Sequence, residues 1–510
     1  MGVSSLNPFG APRRSRVRAV AWRPVNRRLV LPLTLLTVTV LAGLQAQRTD
    51  RAAAATQVQL SGTDSVEVGT PLLSVRRIPE FLQAPTAHRR LREALAEPVA
   101  ALPPGTCLSV AEYGHELFSV EGATPMAPAS AQKLLTGLGA LSVLGPGSVL
   151  TTTVVVDEPP ANGVVRGDLW LVGGGDPLLM TAPYADRFED PIAWSNLADL
   201  ADDVVTAGIL EVEGAVVGDE SRYDRIRYLG TWPDRFKPGW SIQSGPLSAL
   251  SVDDGFVNWD PVNPASSLSV PADDPAMLAA RLFDDLLEER GVVIRGRPDS
   301  GTVSGVAEQH AVASLDSAVV RLLVEQMLVE SDNTTAELLV KEMGRTTTER
   351  GTTVRGLSVM LDALEAAGHP VNGVVPHDGS GLDPDNRLTC GLLASMLDDR
   401  HLGASLVELL PVAGDRGTMK KRFAGTAGEG RVRAKTGTLR GVTSLAGVVD
   451  TPGGRRLAFA LISNGELPYE IRELHEELVL SMLSYPAGPG VDLLSPLPVV
   501  DSSIPRTSGG

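Results

Sequence analysis

The spacing of apolar positions changes several times along the chain, and each change predicts an element. Thr106 to Val110 and Leu117 to Val120 read as short strands around a turn at Gly114-His115. Leu134, Leu135, Leu138 and Leu141 then follow the spacing of a buried helix face. From about residue 150 to 310 strand and turn signals dominate, in TTTVVV at 151–156, GDLWLVGGGD at 167–176 and Gly239 to Asp260, with one helical segment, Pro275 to Arg290. Beyond about 315 the pattern is helical again, in RLLVEQMLVES, TAELLVKEMG and VRGLSVMLDALEAAG, and the last third returns to strands. Arg431 to Thr438, Thr443 to Asp450 and Arg456 to Ile462 are the candidates, the last two joined by a hairpin turn at Thr451-Pro-Gly-Gly454. A helix from Leu467 to Tyr485 is predicted to close the sheet, with Pro468 in its first turn, where proline is tolerated.

The two ends have other textures. Seven arginines between Arg13 and Arg28 precede an uncharged stretch, Leu29 to Ala46, and the chain turns polar at Gln47-Arg48. That order predicts an export signal and hence a location in the extracytoplasmic cell envelope. At 18 residues the stretch is longer than most signal cores and shorter than a comfortable span, so it is either cleaved or kept as an anchor in the cytoplasmic membrane. Residues 47–70 read as a polar linker, and residues 487–510, rich in Pro, Ser and Gly, as a disordered tail.

Length and composition narrow the class. With 510 residues, 43% hydrophobic and 21% charged, the chain is expected to fold as two or three domains, which excludes general disorder and a polytopic membrane protein. The net charge of −16 hides an asymmetry: residues 1–50 carry eight arginines and one acid, so the remainder stands at −23. Such a surface repels phosphates, and no nucleic-acid partner is expected. Two cysteines, Cys107 and Cys390, exclude a disulfide framework and a cysteine zinc site. They could pair, but nothing local brings them together across 283 residues, and two buried free thiols are the expectation.

Three short motifs carry chemistry. In Ser130-Ala-Gln-Lys133 the i and i+3 residues share a helix face, so the amine can reach the hydroxyl, and Pro128 suits a helix start, whose free N–H groups favour a developing anion. A desolvated Lys can act as the base for a nucleophilic Ser, whereas Arg could not. Of six lysines only Lys133 has Ser three residues earlier. Ser331-Asp332-Asn333 follows an apolar helix and offers a hydroxyl and an amide at i and i+2; taken alone it equally fits a helix N-cap. Lys435-Thr436-Gly437-Thr438 lies inside a strand candidate, where glycine often marks a place that a ligand backbone approaches, and the Lys with two Thr suits a carboxylate.

In this order the three motifs are those shared by penicillin-binding proteins and class A β-lactamases. The 201 residues from Ser130 to Ser331 exceed what a compact β-lactamase needs. With that insertion the chain resembles the class C low-molecular-mass penicillin-binding proteins, the D-alanyl-D-alanine carboxypeptidase/endopeptidase family (peptidase family S13). GDLWLVGGGDPLL at 167–179, GPLSALSVDDG at 245–255, HDGSGLDPDNRLT at 377–389 and LPVAGDRGTM at 410–419 agree with it, over roughly residues 70–485. Asp383 departs from it, standing where a serine is expected.

The resemblance implies an α/β (α+β) fold: a serine β-lactamase/transpeptidase-like domain with an antiparallel sheet flanked by helices, plus a strand-rich inserted region. The expected division is 1–70 signal or anchor and linker, 71–150 first part, 151–310 insertion, 311–486 second part and 487–510 tail. It also implies a penicillin-sensitive serine DD-peptidase, a carboxypeptidase or endopeptidase that cleaves D-Ala-D-Ala or D-alanyl cross-links of peptidoglycan stem peptides through an acyl-serine, with β-lactams as covalent inhibitors and no metal or organic cofactor. Ser130 would attack the carbonyl between two D-alanines and Lys133 accept its proton. Ser331 would relay the proton to the leaving amine, and Asn333 hold substrate and Lys133. Lys435, Thr436 and Thr438 would anchor the terminal carboxylate, with the N–H groups of Ser130 and Thr438 as the oxyanion hole.

Rival readings lack features. A serine β-lactamase would share the motifs, but the loop carrying the class A deacylation Glu is not found. A non-catalytic envelope-binding module has no reason to keep both Ser130 and Lys133. Gly173-Gly174-Gly175 has no Gly-Lys-Ser/Thr after it, so a strand turn is favoured over a phosphate cradle, and the seven histidines form no H-E-x-x-H. No serine sits in G-x-S-x-G.

Overall fold

A helix that the pattern above does not predict opens the described chain: α1, Pro79–Ala100, interrupted in sequence by Pro85 and Pro98. Its Ala87, Leu91 and Leu95 recur every four residues and are buried. The computed structural model describes residues 79–188, 191–260, 268–304 and 310–486. The export segment, the linker and the tail read from the sequence lie outside the described residues. Among the described residues no helix is long and apolar enough to cross a membrane.

The chain then runs through β1 (Thr106–Glu112), β2 (His115–Val120) and α2 (Gln132–Val143). A second region follows, with β3 (Thr151–Val156), β4 (Leu169–Val172), α3 (Leu197–Thr206), β5 (Val216–Asp219), α4 (Pro275–Glu289), β6 (Asp299–Gly301) and β7 (His310–Asp316). Helices α5 (Val320–Glu330), α6 (Asn333–Arg345), α7 (Thr353–Ala366), α8 (Cys390–Asp398) and α9 (Leu402–Glu408) come next. Strands β8 (Val432–Leu439), β9 (Val442–Asp450) and β10 (Arg456–Asn464) and helix α10 (Ile471–Met482) complete it. The closing helix is shorter than predicted. Pro468 lies ahead of it, in a turn whose carbonyl accepts from the Ile471 N–H. Helices α8 and α9 fall where the sequence pattern assigned no element.

The larger sheet has the order β8-β9-β10-β1-β2, every pair antiparallel, so the chain's early hairpin joins three late strands. Alternation along β9 and β10 fills both faces. Ala446, Val448, Ala458, Ala460 and Ile462 face a core shared with α2, α5 and α8; Leu445, Val449, Leu457, Phe459 and Leu461 face another shared with α1 and α10. Cys107 on β1 and Cys390 at the head of α8 form a disulfide with Cα atoms 6.0 Å apart, which corrects the expectation of two free thiols. Packing of α8 on the sheet brings them together, a contact no local pattern encodes.

The second region has its own sheet, ordered β6-β5-β4-β3-β7, with β3 antiparallel to β4 and β7, and with β4, β5 and β6 parallel. Helices α3 and α4 share its core. The glycine run beside β4 is packing, not a cradle. A Cβ on Gly173 would lie 2.3 Å from the Ala249 carbonyl oxygen, and one on Gly174 would lie 2.2 Å from that of Thr151. Gly175, at φ +85°, faces the Tyr223 hydroxyl.

This region grips α6. Arg222 holds Glu342 through two bonds of 2.8 and 2.6 Å, Tyr223 Oη donates to the same carboxylate at 2.9 Å, and Asp224 pairs with Lys341. Lys341 and Glu342, both buried on α6, thus find partners across the interface.

Candidate active site

Ser130 stands in a single 3-10 turn, Ala129–Ala131, immediately ahead of α2. Ala129 has φ +48°, in the left-handed region that costs a residue with a side chain about 1–2 kcal/mol. The turn is held against β8, for a Cβ on Gly437 would lie 2.8 Å from the Pro128 carbonyl oxygen and 2.9 Å from the Ser130 nitrogen. Gly437 therefore admits the serine's own turn.

Lys133, one helical turn on, is fully buried. Its Nζ lies 2.6 Å from Asn333 Oδ1, 2.7 Å from the Ser380 carbonyl oxygen and 3.3 Å from Ser130 Oγ. The first two oxygens can only accept. The Asn333 amide is oriented by its Nδ2, which donates to the Gln243 carbonyl at 2.6 Å. A neutral amine has two N–H donors and one lone pair, so satisfying both acceptors turns the lone pair to the Ser130 hydroxyl. Burial lowers the Lys133 pKa to about 8, against the opposing pull of Asp378, Asp332 and Glu337.

Ser331 and Asn333 flank the junction of α5 and α6. Ser331 takes the left-handed conformation at the end of α5, φ +62°, while Asp332 caps α6 by accepting from the Thr335 N–H at 3.2 Å. The cap and the functional reading of this motif thus coexist on different residues. Asn333 reaches Lys133 directly; Ser331 is not among that amine's three partners.

β8 is an edge strand. Its Val432 carbonyl and Ala434 N–H bond the 411–413 segment on the side away from β9, and strand alternation turns the backbone groups of Thr436 and Thr438 to that same open edge. Lys435 is fully buried and donates to the Thr436 carbonyl at 3.2 Å. Burial, then the nearby Lys133 charge, push its pKa well down, with Glu330 opposing. Thr438 is exposed, and its hydroxyl accepts from Arg472 Nη2 at 3.3 Å.

The sequence model of the D-Ala-D-Ala carboxypeptidase 3 (S13) family matches residues 89–266 and 261–482. The chain belongs to this family. Among its S13 relatives, carboxypeptidase DacB of Mycolicibacterium smegmatis is 34% identical over 414 residues, 77% of this chain and 84% of that protein. The D-alanyl-D-alanine carboxypeptidase of Actinomadura sp. is 30% identical over 421 residues, 69% of this chain and 76% of the relative. In fold it is similar to penicillin binding protein 4 of Haemophilus influenzae, with TM-score 0.62 at 20% identity, over 76% of this chain and 98% of that structure.

Several residues around this S13 site escaped the motif reading. The segment Asp378 to Gly381 lines Lys133 with its backbone: Gln132 Nε2 donates to the Asp378 carbonyl, Thr136 Oγ1 to that of Gly379, and Lys133 to that of Ser380. Backbone acceptors leave no residue-type signal. Glu337 and Arg472 carry one, as Glu337 lies four residues after Asn333 on the same helix face and Arg472 is a cation in the first turn of α10. Asp383, which departs from the family pattern, folds back on its own loop: its N–H donates to Asp378 Oδ2 at 2.7 Å and its Oδ1 accepts from Asp385 N–H at 2.8 Å.

Proposed function

We propose that this protein is a penicillin-sensitive serine peptidase that cleaves the D-Ala-D-Ala bond of peptidoglycan stem peptides through an acyl-serine. One observation carries the reading: Lys133 Nζ lies 3.3 Å from Ser130 Oγ and bonds two acceptor-only oxygens, so that a neutral amine turns its lone pair to the hydroxyl. Ser130 Oγ bonds to the D-alanyl carbonyl carbon as its proton passes to Lys133. The oxyanion forms between the N–H groups of Ser130 and Thr438. The C–N bond then breaks, the leaving amine takes its proton by way of Ser331, and water hydrolyses the ester. Asn333 holds the amine of Lys133, while Lys435, Thr436 and Thr438 receive the terminal carboxylate.

Residues 151–310 form, in this reading, an insertion between the two parts of the catalytic domain, 71–150 and 311–486. Export by residues 29–46, cleaved or kept as a membrane anchor, brings the enzyme to its substrate outside the cytoplasm.

Intact-mass analysis after penicillin treatment tests the assignment. A single adduct is expected on the wild type and none on Ser130→Ala; an adduct on that variant, or none on the wild type, overturns it. A long-lived adduct distinguishes the peptidase from a serine β-lactamase, which would release it rapidly.

A further inference from the structure

Three carboxylates and one amine surround Lys133 from different elements: Asp332 at the head of α6, Glu337 one turn along it, Asp378 in the 378–381 turn, and Lys435 on β8. The carboxylates are not equivalent. Asp332 is engaged in capping, accepting from the Thr335 N–H and hydroxyl at 3.2 and 2.6 Å. Asp378 has both oxygens occupied, by Gly381 N–H and Asn386 Nδ2 on one and by Asp383 N–H and Trp232 Nε1 on the other. Glu337 differs. Its Oε1 accepts from the N–H groups of Gly379 and Ser380 at 3.0 and 2.7 Å, while its fully buried Oε2 makes no well-formed hydrogen bond and has only the weak help of the Ser380 hydroxyl beside the carboxyl.

A poorly satisfied carboxylate oxygen in the interior costs free energy, and its position beside Lys133 points to a use beyond bracing the turn. Asn333 and Glu337 are four residues apart on α6, so they present side chains from one helix face. Asn333 touches Lys133 directly. Glu337 reaches it through Ser380, whose N–H it holds and whose carbonyl accepts from Lys133 Nζ at 2.7 Å. We propose that Glu337 is a positioning residue for Lys133: it fixes the Ser380 carbonyl against the amine and supplies the buried negative charge that faces the ammonium when Lys133 takes the Ser130 proton. This deepens the acyl-serine reading and rests on it.

Burial and Asp378 push the Glu337 pKa up to about 8, with Lys133 opposing, and Lys133 itself lies at about 8, so the charge on each favours the charge on the other over the same pH range. Removing the Glu337 charge lowers the proton affinity of Lys133, and the free base then persists to lower pH.

Acylation of the full chain by a fluorescent penicillin, followed from pH 5 to 10, tests this in the wild type, Glu337→Gln, Glu337→Asp and Thr136→Val. Glu337→Gln keeps an acceptor for the turn and loses the charge; its acid limb is expected about one pH unit below that of the wild type. Glu337→Asp keeps the charge on a shorter arm, and should acylate more slowly with the limb in place. Thr136→Val removes the bond to the Gly379 carbonyl at the same turn without a change of charge, and should slow acylation with the limb unmoved. A folded Glu337→Gln protein whose limb stays at the wild-type position overturns the proposal, as does an equal shift in Thr136→Val. Failure of both Glu337 variants to fold assigns the residue to the fold alone and overturns it too. Absence of acylation in the wild type would instead remove the acyl-serine reading itself.

Discussion

Two lysines, each fully buried, stand near enough to feel each other's charge, yet in different surroundings. Lys133, in the first turn of α2, has three side-chain and carbonyl partners and three carboxylates in its field. Lys435, on the edge strand β8, donates to the carbonyl of the next residue, and its surroundings are dominated by burial and by Lys133 itself. The same ammonium chemistry is thus biased in two ways. Lys133, once neutral, has its lone pair left for the Ser130 hydroxyl, which fits the proposed base. Among the described residues Lys435 has no counter-charge in direct contact, which fits the proposed anchor for an anion. Because each positive charge disfavours the other, a neutral Lys133 favours a charged Lys435, so one proton between the pair suits the proposed reaction.

The largest expected effect breaks the comparison at its first member. Lys133→Arg keeps the positive charge but cannot release a proton near neutrality, so penicillin acylation should fall on the order of a hundred- to ten-thousand-fold. Near-normal rates at pH 7, measured by stopped flow, would show that Lys133 acts only as a charge.

Lys435→Ala addresses the second member. Cleavage of a peptide with a free C-terminal carboxylate should lose a charge-assisted contact of about 1.5–3 kcal/mol in kcat/KM, while the same peptide amidated at its C-terminus should lose far less. Equal losses on both substrates would move Lys435 from anchoring to tuning its neighbours.

pH separates the two lysines. Acylation needs neutral Lys133, whose pKa is about 8, so its rate should rise with pH and fall about tenfold per unit below that value. Binding of a carboxylate to Lys435 should take up a proton, because burial and Lys133 disfavour its charge until an anion arrives. Calorimetry in buffers of different ionisation enthalpy reads that uptake directly, and its absence would mean that Lys435 is already charged in the free protein.

The smallest effect belongs to Arg472. Its exposed contact with Thr438 Oγ1 at 3.3 Å adds a cation at the rim of the same edge. Arg472→Ala should cost about 0.2–1 kcal/mol in affinity for the carboxylate substrate and leave the acylation pH limb in place. A shifted limb would connect this residue to Lys133 instead.

Much of this was legible along the chain. The i, i+3 spacing of Ser130 and Lys133, the Ser-x-Asn pair after an apolar helix and Lys-Thr-Gly in a strand are local patterns, and all three motifs lie within short reach of one another through Gly437, Asn333 and Lys133. β9 and β10 were legible as short apolar runs on either side of a hairpin turn, because both of their faces are buried. The first helix was not read because Pro85 and Pro98 break its pattern, and the closing helix was overextended because an apolar run reaches beyond its hydrogen-bonded turns.

By itself the sequence determined the strand and helix periodicities, the acidic body behind a basic N-terminal segment, and the residue types able to act as nucleophile, base and anchor. Only the tertiary structure decided that Cys107 bonds Cys390, that the 151–316 sheet mixes parallel with antiparallel strands, and that Gly437 makes room for the Ser130 turn. It also selected the acceptors of Lys133, of which Ser380 contributes a backbone carbonyl. The physical reason is common to all of these. Periodicity and charge act over a few residues and repeat along the chain, whereas a disulfide, a strand order or a carbonyl aimed at an amine depends on distant segments meeting once, at a distance no local pattern records.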